Sequence, residues 1–130
     1  MNTSASLIIA STAYTPSIKF DAESGVYEVE GRAMLDGMTD IHARVTAWID
    51  ANLPKMQTTF SISFKLKYVD SIGSKVLSML MTKLETYYQS GISIEVRWYY
   101  NLHDDDICSI GEYFTKMKKL PVRMIGIVKS

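Results

Sequence analysis

The chain has 130 residues, 47% of them hydrophobic, and its 14 lysine and arginine residues balance 14 aspartate and glutamate residues. This length suits one domain, and the hydrophobic share excludes a disordered chain. Because the formal net charge is zero, the overall charge gives no reason to expect a nucleic acid or an anionic membrane as a partner.

The first twelve residues contain a short apolar run, residues 7–10. The run has no basic segment before it and is too short for a signal peptide, and no segment approaches the length of a membrane span. We therefore expect a cytoplasmic protein. Residues 1–12 are expected to form a flexible N-terminus or a loose edge strand, and residues 13–130 a single domain.

Two segments that alternate between apolar and polar residues, 15–20 and 26–31, flank a turn that contains Gly25. This pattern predicts a β-hairpin, and the alternation turns Tyr27 and Val29 toward the core.

A loop is expected over residues 32–37, followed by a helix that Thr39 or Asp40 caps and Pro54 stops. Apolar residues recur on this helix at helical spacing: Ile41, Val45, Trp48 and Ile49.

The clearest strand covers residues 60–68, where apolar and polar residues alternate without a break. A turn is expected from Asp70 to Ser74, and a helix from Lys75 to Gln89 with a glycine after its end. The apolar stripe predicted for this helix consists of Val76, Leu77, Leu80, Met81, Leu84 and Tyr88.

The last part of the chain predicts a strand over 92–100, a helix that starts at the acidic run 104–106, and a final strand over 122–128. Acidic residues at a helix start and basic residues at its end suit the helix dipole. The apolar face expected for the helix consists of Ile107, Ile110, Phe114 and Met117, and the basic residues of its last turn are Lys116, Lys118 and Lys119.

The predicted order is β-β-α-β-α-β-α-β. Strand-helix-strand repeats imply parallel strands with right-handed crossovers, and the hairpin adds an antiparallel pair. We expect an α/β fold with a mixed sheet of about five strands and three main helices.

The turn between the central strand and its helix is the candidate site, because α/β proteins place their sites at the carboxyl edge of the sheet. A serine there has three possible roles. Ser71 and Ser74 are candidates for helix caps, Ser71 is a candidate nucleophile, and Ser71 is also a candidate phosphate acceptor.

A hydrolase or ligand-binding domain built on Ser71 would need a base, and His42 and His103 are the only histidines. Neither lies in a recognisable catalytic motif.

The side chains of the run Asp104-Asp105-Asp106 would point in different directions on a helix, so no metal site is expected. No glycine-rich phosphate loop occurs, and no cofactor is expected. Cys108 falls in a helical apolar pattern and is interpreted as a small buried residue.

The pattern Asp70-Ser71-Ile72-Gly73 resembles the phosphorylation turn of STAS-domain anti-sigma factor antagonists, in which the serine is phosphorylated. A second resemblance covers most of the chain and is to the SiaC family of bacterial regulatory phosphoproteins, which has a STAS-like fold. The residues that carry it are Phe20-Asp21, Gly25, Gly31, Leu66-Lys67-Tyr68, Ser71-Ile72-Gly73-Ser74-Lys75, Trp98-Tyr99-Tyr100, Asp104-Asp105-Asp106 and Gly111-Glu112.

The resemblance implies a switch without catalysis of its own. A dedicated Ser/Thr kinase would phosphorylate Ser71 and a PP2C-type phosphatase would reverse this. The unphosphorylated form would bind and activate a diguanylate cyclase, which raises cyclic di-GMP and favours biofilm formation. The residues expected to shape the turn and the partner surface are Asp70, Ile72, Gly73, Ser74 and Lys75. The alternative partner, from the first resemblance, is an anti-sigma factor.

The chain departs from the SiaC pattern in three places. Asp70-Ser71 stands for asparagine-threonine, and Ile72-Gly73 stands for a pair of serines. Leu35-Asp36-Gly37 stands where the family commonly has proline-glutamate-asparagine, in a loop expected to contribute to the partner surface.

Overall fold

A computed structural model describes residues 6–128. The strands are β1 (Ser6–Ile9), β2 (Ser17–Asp21), β3 (Val26–Ala33), β4 (Phe60–Val69), β5 (Ile94–Asn101) and β6 (Val122–Ile127). The helices are α1 (Gly37–Asn52), α2 (Ser71–Gln89) and α3 (Asp105–Met117), and a short 3-10 turn, Leu53–Lys55, follows α1.

The strands lie in the sheet in the order of the chain, from β1 to β6. The pairs β1–β2 and β2–β3 are antiparallel, while β3–β4, β4–β5 and β5–β6 are parallel. Each helix connects two parallel neighbours, and all three crossovers advance across the sheet in the same direction. Because such crossovers are right-handed, the three helices cover the same face of the sheet.

A single core lies between that face and the helices, and it includes the predicted core residues Tyr27 and Val29. Two aromatic groups fill much of it. Phe20, Tyr27, Trp48 and Phe60 contact one another beneath α1. Phe64, Trp98 and Phe114 pack together beneath α3. Burial of each such side chain contributes about 1.5–3 kcal/mol.

The predicted α/β class and the order of elements are confirmed, but the sheet has six strands instead of five. The sixth strand is β1, at the edge of the sheet. It fits the expectation that the N-terminal segment forms an edge strand. Residues 1–5 of that segment lie outside the described part. Leu7 and Ile9 lie opposite Phe20 and Ile18. These two apolar side chains extend the core to the edge of the sheet.

Helix α1 begins earlier than the sequence predicts. Thr39 and Asp40, the expected caps, lie inside the helix, which starts at Gly37 after Asp36. The residue before Asp36, Leu35, has a φ of +63°, which is uncommon for a side chain of this size. The reversal at Leu35 turns the chain into the helix within a few residues of the end of β3, and this shortens the expected loop.

A β-bulge near the end of β4 changes the direction of its last side chains. Leu66 lies opposite Gly31, but the next pair is Tyr68 with Arg32, so Lys67 is an extra residue in β4. Side chains alternate along a strand, so one extra residue moves the following ones to the opposite face. Tyr68, predicted as part of the apolar face, is therefore exposed, and Val69 packs against the core instead.

Three expectations for the helices and for Cys108 need correction. Met117 and Tyr88, expected on apolar faces, are both exposed, and each lies in the last turn of its helix. Lys118 and Lys119 follow α3 and are not in its last turn. Cys108 is half-buried.

Within residues 6–128, no helix has the length and apolarity needed to cross a membrane.

Candidate functional site

Asp70 lies between the last residue of β4 and the first residue of α2, and it caps the helix. Its backbone is extended, and its Oδ1 accepts the N–H of Gly73 at 2.7 Å. A carboxylate at this position also complements the positive end of the helix dipole. The hydrogen bond from the Gly73 N–H holds the pKa of the Asp70 carboxyl below its usual value.

This cap corrects the prediction that the serines cap the helix at a turn spanning Asp70 to Ser74. Ser71 is already the first helical residue, and Ser74 lies in the helix with its N–H bonded to the Asp70 carbonyl at 2.9 Å. The aspartate performs the capping role, and the Ser71 hydroxyl has no hydrogen-bond partner among the described residues. The hydroxyl of Ser71 is therefore not needed to build the turn.

The second oxygen of Asp70 reaches a different loop. Oδ2 accepts the N–H of Leu35 at 2.9 Å, and the N–H of Asp70 donates to the Ala33 carbonyl at 3.2 Å. The loop 34–36 between β3 and α1 is thereby attached to the start of α2. The loop at Leu35 and the turn at Asp70 are therefore in direct contact.

Gly73 allows α2 to approach β3 closely. A Cβ atom at this position would lie 1.9 Å from the Ala33 carbonyl oxygen and 2.7 Å from its carbon. Such contacts are far shorter than van der Waals distances, so only glycine fits without a shift of the helix. Any residue larger than glycine at this position would require a different placement of α2.

Ser71 is exposed at the N-terminus of α2 and lines a groove of about 560 Å³ between α2 and α3. A phosphate at this position would meet the positive end of the helix dipole and would leave the core intact. The groove is lined by Ser71, Ser74, Lys75, Ser78, Met79, Ser109, Ile110 and Tyr113.

The predicted site residues thus fall into three groups. Ser71, Ser74 and Lys75 line the groove together. Asp70 and Gly73 determine the geometry of the turn beneath it, and Ile72 is exposed outside the groove lining. The structure therefore places all of these residues at the carboxyl edge of the sheet.

The sequence reasoning missed the apolar side of the groove, which Met79, Ile110 and Tyr113 provide. Met79 is 46% exposed and Tyr113 53% exposed. Met79 falls outside the apolar stripe predicted for its helix. A single exposed apolar residue is common on protein surfaces, so the sequence alone does not mark it as part of a binding site. Only the placement of α3 beside α2 brings these residues together.

The other candidate residues lie apart from this groove. Neither His42 nor His103 is among the residues that line it, and neither forms a hydrogen bond with Ser71. A nucleophilic Ser71 would have its base within hydrogen-bond reach, and no such bond to a histidine occurs among residues 6–128. Asp104 caps α3 by accepting the N–H of Ile107 at 3.0 Å, which confirms the acidic run as a helix start.

Trp98 and Gly111 form a packed unit behind the site. The indole Nε1 of Trp98 donates to the Ile107 carbonyl at 2.9 Å, and the ring is fully buried. A Cβ at Gly111 would lie 2.3 Å from the indole Cδ1. This pair fixes α3 against β5, and α3 provides one side of the groove.

Comparison with known proteins gives a family match over most of the chain. The model of the SiaC family, described as regulatory phosphoproteins, matches residues 9–127. A similar curated protein is an uncharacterised protein of Pseudomonas aeruginosa strain UCBPP-PA14. It is 23% identical over 115 residues, which cover 88% of this chain and 91% of that protein.

Solved structures of similar fold include apo-SiaC of Pseudomonas aeruginosa, which is 22% identical with a TM-score of 0.82 over 94% of this chain and 99% of that one. SiaC is also the activator in a crystal structure of the diguanylate cyclase SiaD from the same organism. That SiaC chain is 21% identical, with a TM-score of 0.84 over 93% of this chain and 99% of its own. At these identities, the likeness establishes the shared fold.

Proposed function

The chain belongs to the SiaC family of regulatory phosphoproteins, and on that premise we propose that it is a phosphorylation switch whose modified group is the Ser71 hydroxyl. The observation that carries this proposal is the position of Ser71. It is an exposed serine at a helix N-terminus, its hydroxyl is free of structural hydrogen bonds within residues 6–128, and it borders an open groove.

A phosphate on Ser71 would add about −1.5 to −2 charges to this surface while the fold stays intact. Asp70 already caps the helix and Gly73 already determines its position, so neither role depends on the serine. A modification that changes a partner surface without unfolding the protein is what a reversible switch requires.

We propose that the unphosphorylated form binds and activates a diguanylate cyclase. Support comes from the SiaC relative of Pseudomonas aeruginosa, which is the activator of the cyclase SiaD in their complex. A dedicated Ser/Thr kinase would add the phosphate and a PP2C-type phosphatase would remove it. In this proposal the chain acts in the cytoplasm as a single regulatory domain over residues 13–130 and catalyses no reaction itself.

The phosphorylation site is tested by intact-mass analysis after incubation with the kinase of the source organism. The expected result is one added phosphate on the wild-type chain and on Ser74→Ala, which serves as the matched control in the same groove. Ser71→Ala is expected to remain unmodified. Phosphate addition to Ser71→Ala at the wild-type rate would contradict the assignment.

The partner is tested by affinity capture with unphosphorylated protein and with protein carrying phosphoserine at position 71. Enrichment of a diguanylate cyclase only by the unphosphorylated form, and stimulation of its activity, is the expected outcome. The Asp70-Ser71-Ile72-Gly73 sequence favours a second candidate, in which the partner is an anti-sigma factor. Recovery of an anti-sigma factor without a cyclase would replace the cyclase by this candidate.

A further inference from the structure

Strand β6 forms one edge of the sheet, and its outer side pairs with no strand among residues 6–128. On its inner side it pairs with β5 without a register shift. None of its six residues is buried, whereas β4 and β5 each contain several buried side chains. The outer side of β6 therefore offers a row of backbone N–H and carbonyl groups to another strand.

Hydrogen bonds to neighbouring segments show which backbone groups of β6 point outward. The Pro121 carbonyl accepts the N–H of Val96, and the Ile127 carbonyl accepts the N–H of Leu102, both at 2.9 Å. The backbone groups of the odd-numbered positions thus point toward β5, and those of successive residues point to opposite sides of a strand. The outward N–H and carbonyl groups of β6 belong to Val122, Met124 and Gly126.

Strand β6 has few of the features that prevent edge strands from pairing with other chains. Such features are short length, prolines, bulges and several charged side chains. Within β6 the charged residues reduce to Arg123, and Pro121 lies before the strand. The opposite edge strand, β1, has four residues against six in β6. Exposed apolar surface continues along β6 to Ile127, which is 43% exposed. This edge is therefore the more open of the two.

A second copy of β6 fits this edge. A two-fold axis through Met124, perpendicular to the sheet, places Met124 opposite its own copy and Val122 opposite Gly126 in an antiparallel pair. Every outward N–H then meets an outward carbonyl. Val122 and Met124 pack against the core, so Arg123 and Ile125 face the open side of the sheet. There Arg123 lies opposite Ile125 of the second copy, and no like charges are opposed.

We propose that the protein forms a homodimer through antiparallel pairing of β6 with β6 of a second copy, which joins two six-stranded sheets into one. Because the paired strands run in opposite directions, the carboxyl edges of the two copies lie at opposite ends of the joined sheet. Each copy carries its Ser71 at its own carboxyl edge, away from the paired strands. The inference therefore goes beyond the proposed function and does not depend on it.

Sedimentation velocity of the full wild-type chain, from about micromolar to about millimolar concentration, tests the dimer. The expected result is a shift from the 14.7 kDa monomer to a species of twice that mass. Amide hydrogen exchange then locates the interface. The N–H of Met124 should be protected only where the dimer is populated, while the N–H of Ile125, which points toward β5, should be protected at every concentration. A monomer throughout the range would overturn the inference.

Two substitutions at one position test the pairing of the side chains. Ile125→Lys places an ammonium opposite Arg123 in both halves of the dimer, and we expect the dissociation constant to rise about tenfold. Ile125→Glu places a carboxylate there, and the dimer should be at least as stable as in the wild type. Ile8→Lys is the control, because Ile8 is exposed on the opposite edge strand, and it should leave the dissociation constant unchanged. Circular dichroism checks that each variant is folded.

Equal dissociation constants for Ile125→Lys and Ile125→Glu, or a loss of the dimer in Ile8→Lys, would overturn the pairing at β6. A strand of the target protein is the competing occupant of this edge. If the chain stays monomeric and the Met124 N–H is protected only after a captured target is added, the edge extends the sheet of the target and the self-pairing is wrong. Failure of Ser71 phosphorylation leaves these measurements unaffected, since the mass and the amide exchange of the unmodified chain do not require it.

Discussion

Asp70 Oδ2 accepts the N–H of Leu35 at 2.9 Å, although the two residues are 35 positions apart in the chain. The same carboxylate caps α2 through its other oxygen. Leu35 is held at a positive φ of 63°, and a conformation of this kind persists only when surrounding contacts stabilise it. The Asp70 carboxylate provides such a contact and joins the loop before α1 to the turn that carries Ser71.

Asp70→Asn tests this connection. Asparagine is as good a helix cap as aspartate, but its side chain has one oxygen acceptor instead of two. We expect the cap at Gly73 to remain and the bond from Leu35 to be lost. Amide hydrogen exchange of Leu35 should become faster while that of Gly73 stays slow. Equal protection of both amides in the variant would contradict this assignment.

The same carboxylate predicts a pH dependence of stability. The pKa of Asp70 is lowered in the folded protein, first by the Gly73 N–H. Folding therefore favours the ionised form, so this stabilisation is present above the unfolded pKa of about 3.9 and is lost as the pH falls through the folded pKa. Urea denaturation between about pH 7 and pH 3 should show a steeper loss of stability in the wild type than in Asp70→Asn. Parallel pH curves for the two proteins would show that Asp70 makes no such contribution.

Gly73→Ala tests the close approach of α2 to β3. The added methyl group meets the Ala33 carbonyl oxygen at 1.9 Å, so the start of the helix must move. We expect a loss of about 1–3 kcal/mol in the free energy of unfolding, measured in urea. Ser74→Ala, one residue further along α2, is the control and should change the stability little. A stable Gly73→Ala variant would show that the helix shifts at low cost.

The two tryptophans give a matched comparison of buried indole groups. Trp98 Nε1 donates to the Ile107 carbonyl, whereas Trp48 Nε1 is buried with no partner within the described residues. Trp98→Phe removes this hydrogen bond, which contributes about 0.5–1.5 kcal/mol. Trp48→Phe removes an unsatisfied donor, so its loss of stability should be smaller. Urea denaturation of both variants measures the difference, and equal losses would refute the argument.

Much of the fold follows from periodicity in the sequence. The alternation of β4, the helical spacing in α1 and α2, and the core positions Tyr27 and Val29 all depend on local patterns that burial confirms. The position of Ser71 at the carboxyl edge follows from the order of a strand and a helix alone. These features are predictable because one element contains all the information that they need.

The remaining features depend on contacts between distant segments. The bulge at Lys67 has no residue signature of its own, so the sequence predicts an unbroken alternation up to Tyr68. The two serines after Asp70 suggest a serine cap, but an aspartate one position earlier reaches the Gly73 N–H. The groove forms only where α3 packs beside α2. The hydrogen bond from Leu35 to Asp70 joins two connecting segments that are distant in the chain. Neither feature leaves a local trace in the sequence.

The order of the strands in the sheet, which is the order of the chain, has a consequence for biosynthesis. Each strand that leaves the ribosome can pair at once with the strand made just before it, and contacts between neighbouring segments form fastest. The turn around Ser71 needs only β3, the loop at Leu35 and β4, which are complete at Val69, before any residue of α3 is made. The α3 side of the groove is made later, so the nascent chain presents Ser71 before it can present the complete groove.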